Sequence, residues 1–108
     1  MSALPSVAEL GRALREGTTT ARELAELALA NATHGAYRTL DAAHARAQAA
    51  AADAAFAAGR DLGPLQGLPL SVKDLYGVPG LPTFAGAPTR LPPRFELAGP
   101  VVARALAQ

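Results

Sequence analysis

Gly63-Pro64-Leu65-Gln66-Gly67-Leu68-Pro69-Leu70-Ser71-Val72-Lys73-Asp74 is the stretch on which the fold class turns. From Leu68 onward the residues alternate, with Leu68, Leu70 and Val72 on one side and Ser71 and Lys73 on the other, and this period of two predicts a strand over 68–74. Pro69 has no N–H to offer a ladder, so it belongs at the strand's beginning or on an unpaired side. Beyond it, Val78-Pro79-Gly80-Leu81-Pro82 and most of residues 83–99 read as turn and loop.

Outward from this stretch the composition changes sharply at Gly59. Residues 1–58 hold 21 of the 27 Ala, whereas residues 59–100 hold three Ala but 15 of the 19 Gly and Pro. The first part is therefore expected to be helical and the second to be strand and loop, which makes the class α/β. Ser6 with Glu9 and Thr20 with Glu23 each match the capping box, which satisfies orphan amides at a helix start. Helices are predicted from Val7 to about Glu16, with Leu10, Ala13 and Leu14 inward and Gly17 as the left-handed stop, and over 21–31, burying Leu24, Leu27 and Ala28. Tyr37 to Leu40 reads as a short extended piece. A third helix over 42–58, capped by Asp41 and ended by Gly59, draws high propensity from its Ala content. A last helix begins near Pro100, which suits the first helical position, and is cut short at Gln108. The chain thus divides into a helical part (1–58), strand and loops (59–99) and the start of a truncated helix (100–108).

Ten Lys and Arg stand against nine Asp and Glu in 108 residues, leaving no charge-driven case for nucleic acid or an anionic membrane. Half the residues are apolar, but half of those are Ala, so the core is expected to be thin. The absence of Cys excludes disulfides and thiolate metal sites, and is compatible with a reducing cytoplasm. No leader pattern is seen in the first 17 residues, and the most apolar run, 42–58, carries His44, Arg46, Gln48 and Asp53 and cannot span a bilayer.

Nine of the ten cationic residues are Arg, and Lys73 is the sole Lys. Arg stays protonated in proteins whereas an ammonium can give up its proton when desolvated, so a chain built on Arg has a reason to keep Lys where a neutral amine is needed. Lys73 also falls at a predicted strand end before a Gly-rich loop, where open α/β sheets place ligands. A solvated surface charge is the competing reading. Asp74 is expected to organise backbone amides in the following turn rather than to pair with Lys73, because successive strand side chains point apart. Ser2, Ser6 and Ser71 are the only serines, and Ser71 lacks the Gly-rich loop an oxyanion hole requires. His34 and His44 have no third ligand at metal spacing and read as a loop and a helix-surface histidine. The five aromatic side chains are too scattered for a base-stacking platform.

The run 63–74, continuing through Gly80-Leu81-Pro82-Thr83-Phe84-Ala85-Gly86, resembles the start of the amidase signature family, whose pattern there is GPLxGxPxxVKD followed by GxPTTAGS. Phe84 and Ala87 replace the usual second Thr and the Ser of the later motif. The resemblance implies the N-terminal helices and first strand of a mixed sheet covered by helices. It also implies hydrolysis of carboxylic amides through an acyl-enzyme, without metal or organic cofactor. Lys73 is the residue it assigns to the Ser, cis-Ser, Lys triad, in which a neutral amine takes a proton from a bridging Ser that deprotonates the nucleophile. Both serines lie downstream in the family, so the 108 residues are expected to be inactive alone. The implied partner is a small-molecule amide substrate in the cytoplasm, with no nucleic acid and no membrane, and a homo-oligomer of the full-length protein is left open. Two rival readings are the A subunit of a tRNA-dependent glutamine amidotransferase and a non-enzymatic helical module that offers its apolar face to a partner.

Overall fold

The computed structural model describes residues 4–33 and 35–108, among which the elements are α1 (Val7–Glu16), α2 (Ala21–Ala30), α3 (Ala42–Ala57), a 3₁₀ turn (Pro93–Glu96) and α4 (Pro100–Leu106). They fall into two compact units, one formed by residues 4–31, 42–69 and Gln108, the other by residues 32–41 and 70–107.

In the first unit, α1 starts where its capping box predicts. The Glu9 amide donates to Ser6 Oγ at 3.1 Å and the Ser6 amide to Glu9 Oε2 at 2.8 Å, while Gly17, at φ 77°, closes the other end. α2 keeps only half of its expected box. The Glu23 amide reaches Thr20 Oγ1 at 3.1 Å, but the Glu23 carboxylate accepts from the Thr19 hydroxyl instead. The remaining amides of that first turn find Asp53 on α3, whose two carboxylate oxygens accept from the Ala21 and Arg22 amides at 2.7 and 3.2 Å. A single side chain thus caps one helix from another and adds the favourable charge at an N-terminus. Asp53→Ala is expected to destabilise the protein by about 1–2 kcal/mol, read as a lower denaturant midpoint at constant slope, since two amides lose their acceptor. An unchanged midpoint would show that water replaces the carboxylate without cost.

Leu14, Ala21, Leu24, Ala25 and Ala49 form the buried cluster, with Leu10, Ala52, Phe56 and Leu68 packed against it. The expected inward face of α2 is corrected by one turn. Ala21, Leu24 and Ala25 are buried, whereas Leu27 is 62% exposed. On the α2 side the cluster takes Ala21, Leu24 and Ala25 and on the α3 side Ala49, with Ala52 and Phe56 packed against it, and Leu27 is left outside.

Two polar struts tie the segment after α3 to this unit. Gln66 is fully buried, accepting from the Leu62 amide at 2.6 Å and donating to the Arg60 carbonyl at 3.0 Å, so its burial leaves no amide group unmatched. Arg15 donates to both oxygens of Asp61, at 2.9 and 2.7 Å, and to the carbonyls of Gly11 and Gly63. The Arg15 hydrogen bond holds the Asp61 carboxyl below its ordinary value against a smaller opposing effect of desolvation.

The strand expected over 68–74 is not formed, and no strand occurs among the described residues. The cause is the lack of a partner. A strand is stabilised by a ladder to a neighbouring chain segment, Pro69 cannot donate to one, and the Tyr37–Leu40 stretch, the other extended candidate, is also irregular here. Leu68 packs on the first unit's core while Leu70 is 57% exposed, so the apolar alternation has no common surface to cover. No helix among the described residues is long and apolar enough to cross a membrane.

Candidate active site

Lys73 lies in the second unit, in irregular chain immediately before a tight turn. Its carbonyl accepts from the amides of Leu75 and Tyr76 at 2.7 and 3.0 Å, so the backbone reverses directly after the Lys and its side chain is left exposed.

Asp74 does organise backbone amides, but not those of the following turn. Its carboxylate reaches ten residues on, where Oδ1 accepts from the Phe84 amide and Oδ2 from the Ala85 amide, each at 3.1 Å. Two successive N–H groups pointing at one carboxylate make a small anion-holding concavity. Ala85 pays for this with a left-handed backbone at φ 49°, a conformation that costs a residue with a Cβ about 1 kcal/mol. The bend is closed by the Ala87 amide donating to the Phe84 carbonyl at 2.8 Å.

Below this loop Thr83 is buried. Its hydroxyl donates to the Phe95 carbonyl at 3.1 Å and its own carbonyl accepts from the Leu91 amide at 2.8 Å, which fixes the loop to the 3₁₀ turn. Arg90 and Glu96 pair at 2.7 Å across the same region, and that hydrogen bond keeps the Glu96 carboxyl below its ordinary value. Above the loop, the Arg38 guanidinium carbon sits 3.7 Å from the centre of the Phe84 ring.

The arrangement therefore joins a sole amine to a braced loop through one intervening residue. Lys73 and Asp74 come from the run singled out in the sequence, whereas the partners of Asp74 and the position of Arg38 were not legible there. Phe84 offered the one local signal, because an aromatic side chain stands where the resembling pattern has Thr. Ser71 is exposed. Ser2 and His34 lie outside the described residues, and His44 is half-buried on α3. Among the described residues no group of three or more His, Cys, Asp or Glu side chains is placed to hold a metal ion.

A family model described as Amidase matches residues 18–104. The chain is 62% identical over 69 residues, 64% of its length, to a 2-amino-5-chloromuconic acid deaminase of Comamonas testosteroni, of which it covers 15%. It is 46% identical over 82 residues, 69% of its length, to the A subunit of a glutamyl-tRNA(Gln) amidotransferase of Chloroflexus aurantiacus, covering 16% of that protein. Over 84 residues, 73% of its length, it is 40% identical to a 1-carboxybiuret hydrolase subunit of a Pseudomonas species, covering 18%. The chain thus spans less than a fifth of the length of these relatives. No solved structure matches it.

Proposed function

The chain belongs to the amidase family, and from that membership we propose that the protein carrying it hydrolyses a carboxylic amide with Lys73 as the base of a Ser, cis-Ser, Lys triad. The observation that carries the reading is the position of the chain's sole Lys, inside the matched region and one residue before the carboxylate that holds the Phe84–Ala85 bend. In this reading neutral Lys73 Nζ takes the bridging Ser proton, and that Ser takes the proton of the nucleophilic Ser as its oxygen bonds to the amide carbon. The carbon–nitrogen bond then breaks, the amine leaves with the relayed proton, and water cleaves the acyl ester to give the acid.

Both serines and the oxyanion hole lie outside these 108 residues, which accordingly are inactive alone. Lys73 is exposed in this chain, so the dry surroundings that favour an uncharged amine come from the rest of the protein, which also completes the mixed sheet for residues 68–74. In this reading the reaction is cytoplasmic and uses no metal or organic cofactor.

A second reading is favoured by the amidotransferase relative, namely an A subunit that releases ammonia from glutamine. The two are separated by measuring ammonia release from simple carboxamides and from glutamine, with the full-length protein alone and with amidotransferase partner subunits. Release from carboxamides by the protein alone supports the amidase. Release from glutamine only when partners are present supports the subunit. Absence of ammonia in every arm rejects both and leaves the non-enzymatic module.

A further inference from the structure

Arg38 is the cation of the second unit that sits closest over an aromatic ring. Its guanidinium carbon is 3.7 Å from the Phe84 ring centre, closer than Arg94 over Phe95 at 4.8 Å or Arg15 over Phe56 at 5.5 Å. None of the ion pairs among the described residues involves it. The side chain is nevertheless exposed, so its charge faces outward from a fixed seat.

The seat is tied to Lys73. The Phe84 amide is held by Asp74 at 3.1 Å, and Asp74 follows Lys73 directly, so the Phe84 backbone lies within about 10 Å of the Lys73 Cα by chain geometry alone. A guanidinium resting on an aromatic face keeps its N–H groups around its edge, where they match the two oxygens of a carboxylate. Preorganisation on the ring also lessens the rotamer entropy that Arg loses on binding an anion.

We propose that Arg38, seated on Phe84, binds a carboxylate of the substrate and so selects acid-bearing amides for the reaction at Lys73. This rests on the amide-hydrolase reading of Lys73 and adds the substrate class. The Asp74 oxygens each accept from a backbone amide, of Phe84 and of Ala85, and none of the ion pairs among the described residues joins Asp74 to Arg38. Glu96 is engaged by Arg90.

The test compares succinamate, which carries a carboxamide and a carboxylate, with the neutral butyramide as substrates of the full-length protein. Arg38→Met keeps an apolar stem for the ring and removes the charge. It is expected to raise KM for succinamate about tenfold or more, with kcat little changed and butyramide kinetics unaltered. Arg38→Lys, which keeps charge without the fork, is expected to recover part of the loss and serves if the Met variant does not fold. Equal effects on the two amides, or none on either, overturn the proposal. Succinate binding by calorimetry reads the same contact without turnover: wild type binds it and Arg38→Met does not. Wild type that ignores succinate overturns the anion site. Binding without hydrolysis of either amide supports the anion site and instead rejects the reading of Lys73.

Discussion

Lys73→Met in the full-length protein is expected to lower kcat for amide hydrolysis by about 10³-fold, within the range that a general base contributes. The turn that follows is expected to survive the substitution, because the Lys73 carbonyl, not its side chain, receives the Leu75 and Tyr76 amides. Lys73→Arg sharpens the experiment. Arg supplies a permanent positive charge but no accessible neutral form, so it preserves activity only if position 73 acts as a fixed cation. The proton-relay reading expects the Arg variant to be as slow as the Met variant. Hydrolysis by Lys73→Met at the wild-type rate would remove the amine from the mechanism, whatever the family.

Asp74 explains why one run of sequence could announce a site whose supports it did not reveal. Lys73 and Asp74 are adjacent and stand in a motif, so the sequence alone singles them out. The amides that Asp74 grips are ten and eleven residues away, across a Pro- and Gly-rich loop whose path no periodicity encodes. The helices behave oppositely, because their signals are local: Ser6, Glu9 and Gly17 each act within a turn of their own position, and α1 begins and ends where they predict. Asp53 is intermediate. It is the lone carboxylate in the otherwise Ala-rich α3, an oddity visible in the sequence, but its target is the start of α2, more than thirty residues earlier. The strand over 68–74 failed for the same reason in stronger form. Alternation states which residues could share a face, whereas a ladder needs a second segment that these residues do not provide. Phe84 and Arg38 belong with Asp74, since the departure from Thr is readable at one position but the cation that uses it comes from another part of the chain.

Gly77→Ala is the substitution expected to damage the second unit most. A Cβ at position 77 would collide with the Leu97 carbonyl oxygen and stand 2.6 Å from the Phe95 oxygen and 2.9 Å from the Glu96 carbonyl carbon. These are backbone atoms, so no side chain can swing aside to make room. The cost is that of overpacking against a rigid wall, roughly 3 kcal/mol. The strain has a route to the loop after Lys73, because the Phe95 carbonyl also receives the Thr83 hydroxyl, and Thr83 immediately precedes the bend that Asp74 holds. Moving residues 95–97 away from a new methyl group draws that acceptor from Thr83, whose buried hydroxyl is then left without its partner. The full-length Gly77→Ala protein is therefore expected to unfold at lower denaturant and to exchange the Phe84 and Ala85 amide hydrogens faster than wild type, while the Ala21 and Arg22 amides held by Asp53 in the first unit keep their protection below the global transition. Equal loss of protection in both sets would mean that the damage is global rather than carried through Thr83. An unchanged midpoint with unchanged exchange would show that the backbone at 95–97 yields freely, and the close approach at Gly77 would then have no part in holding the loop beside Lys73.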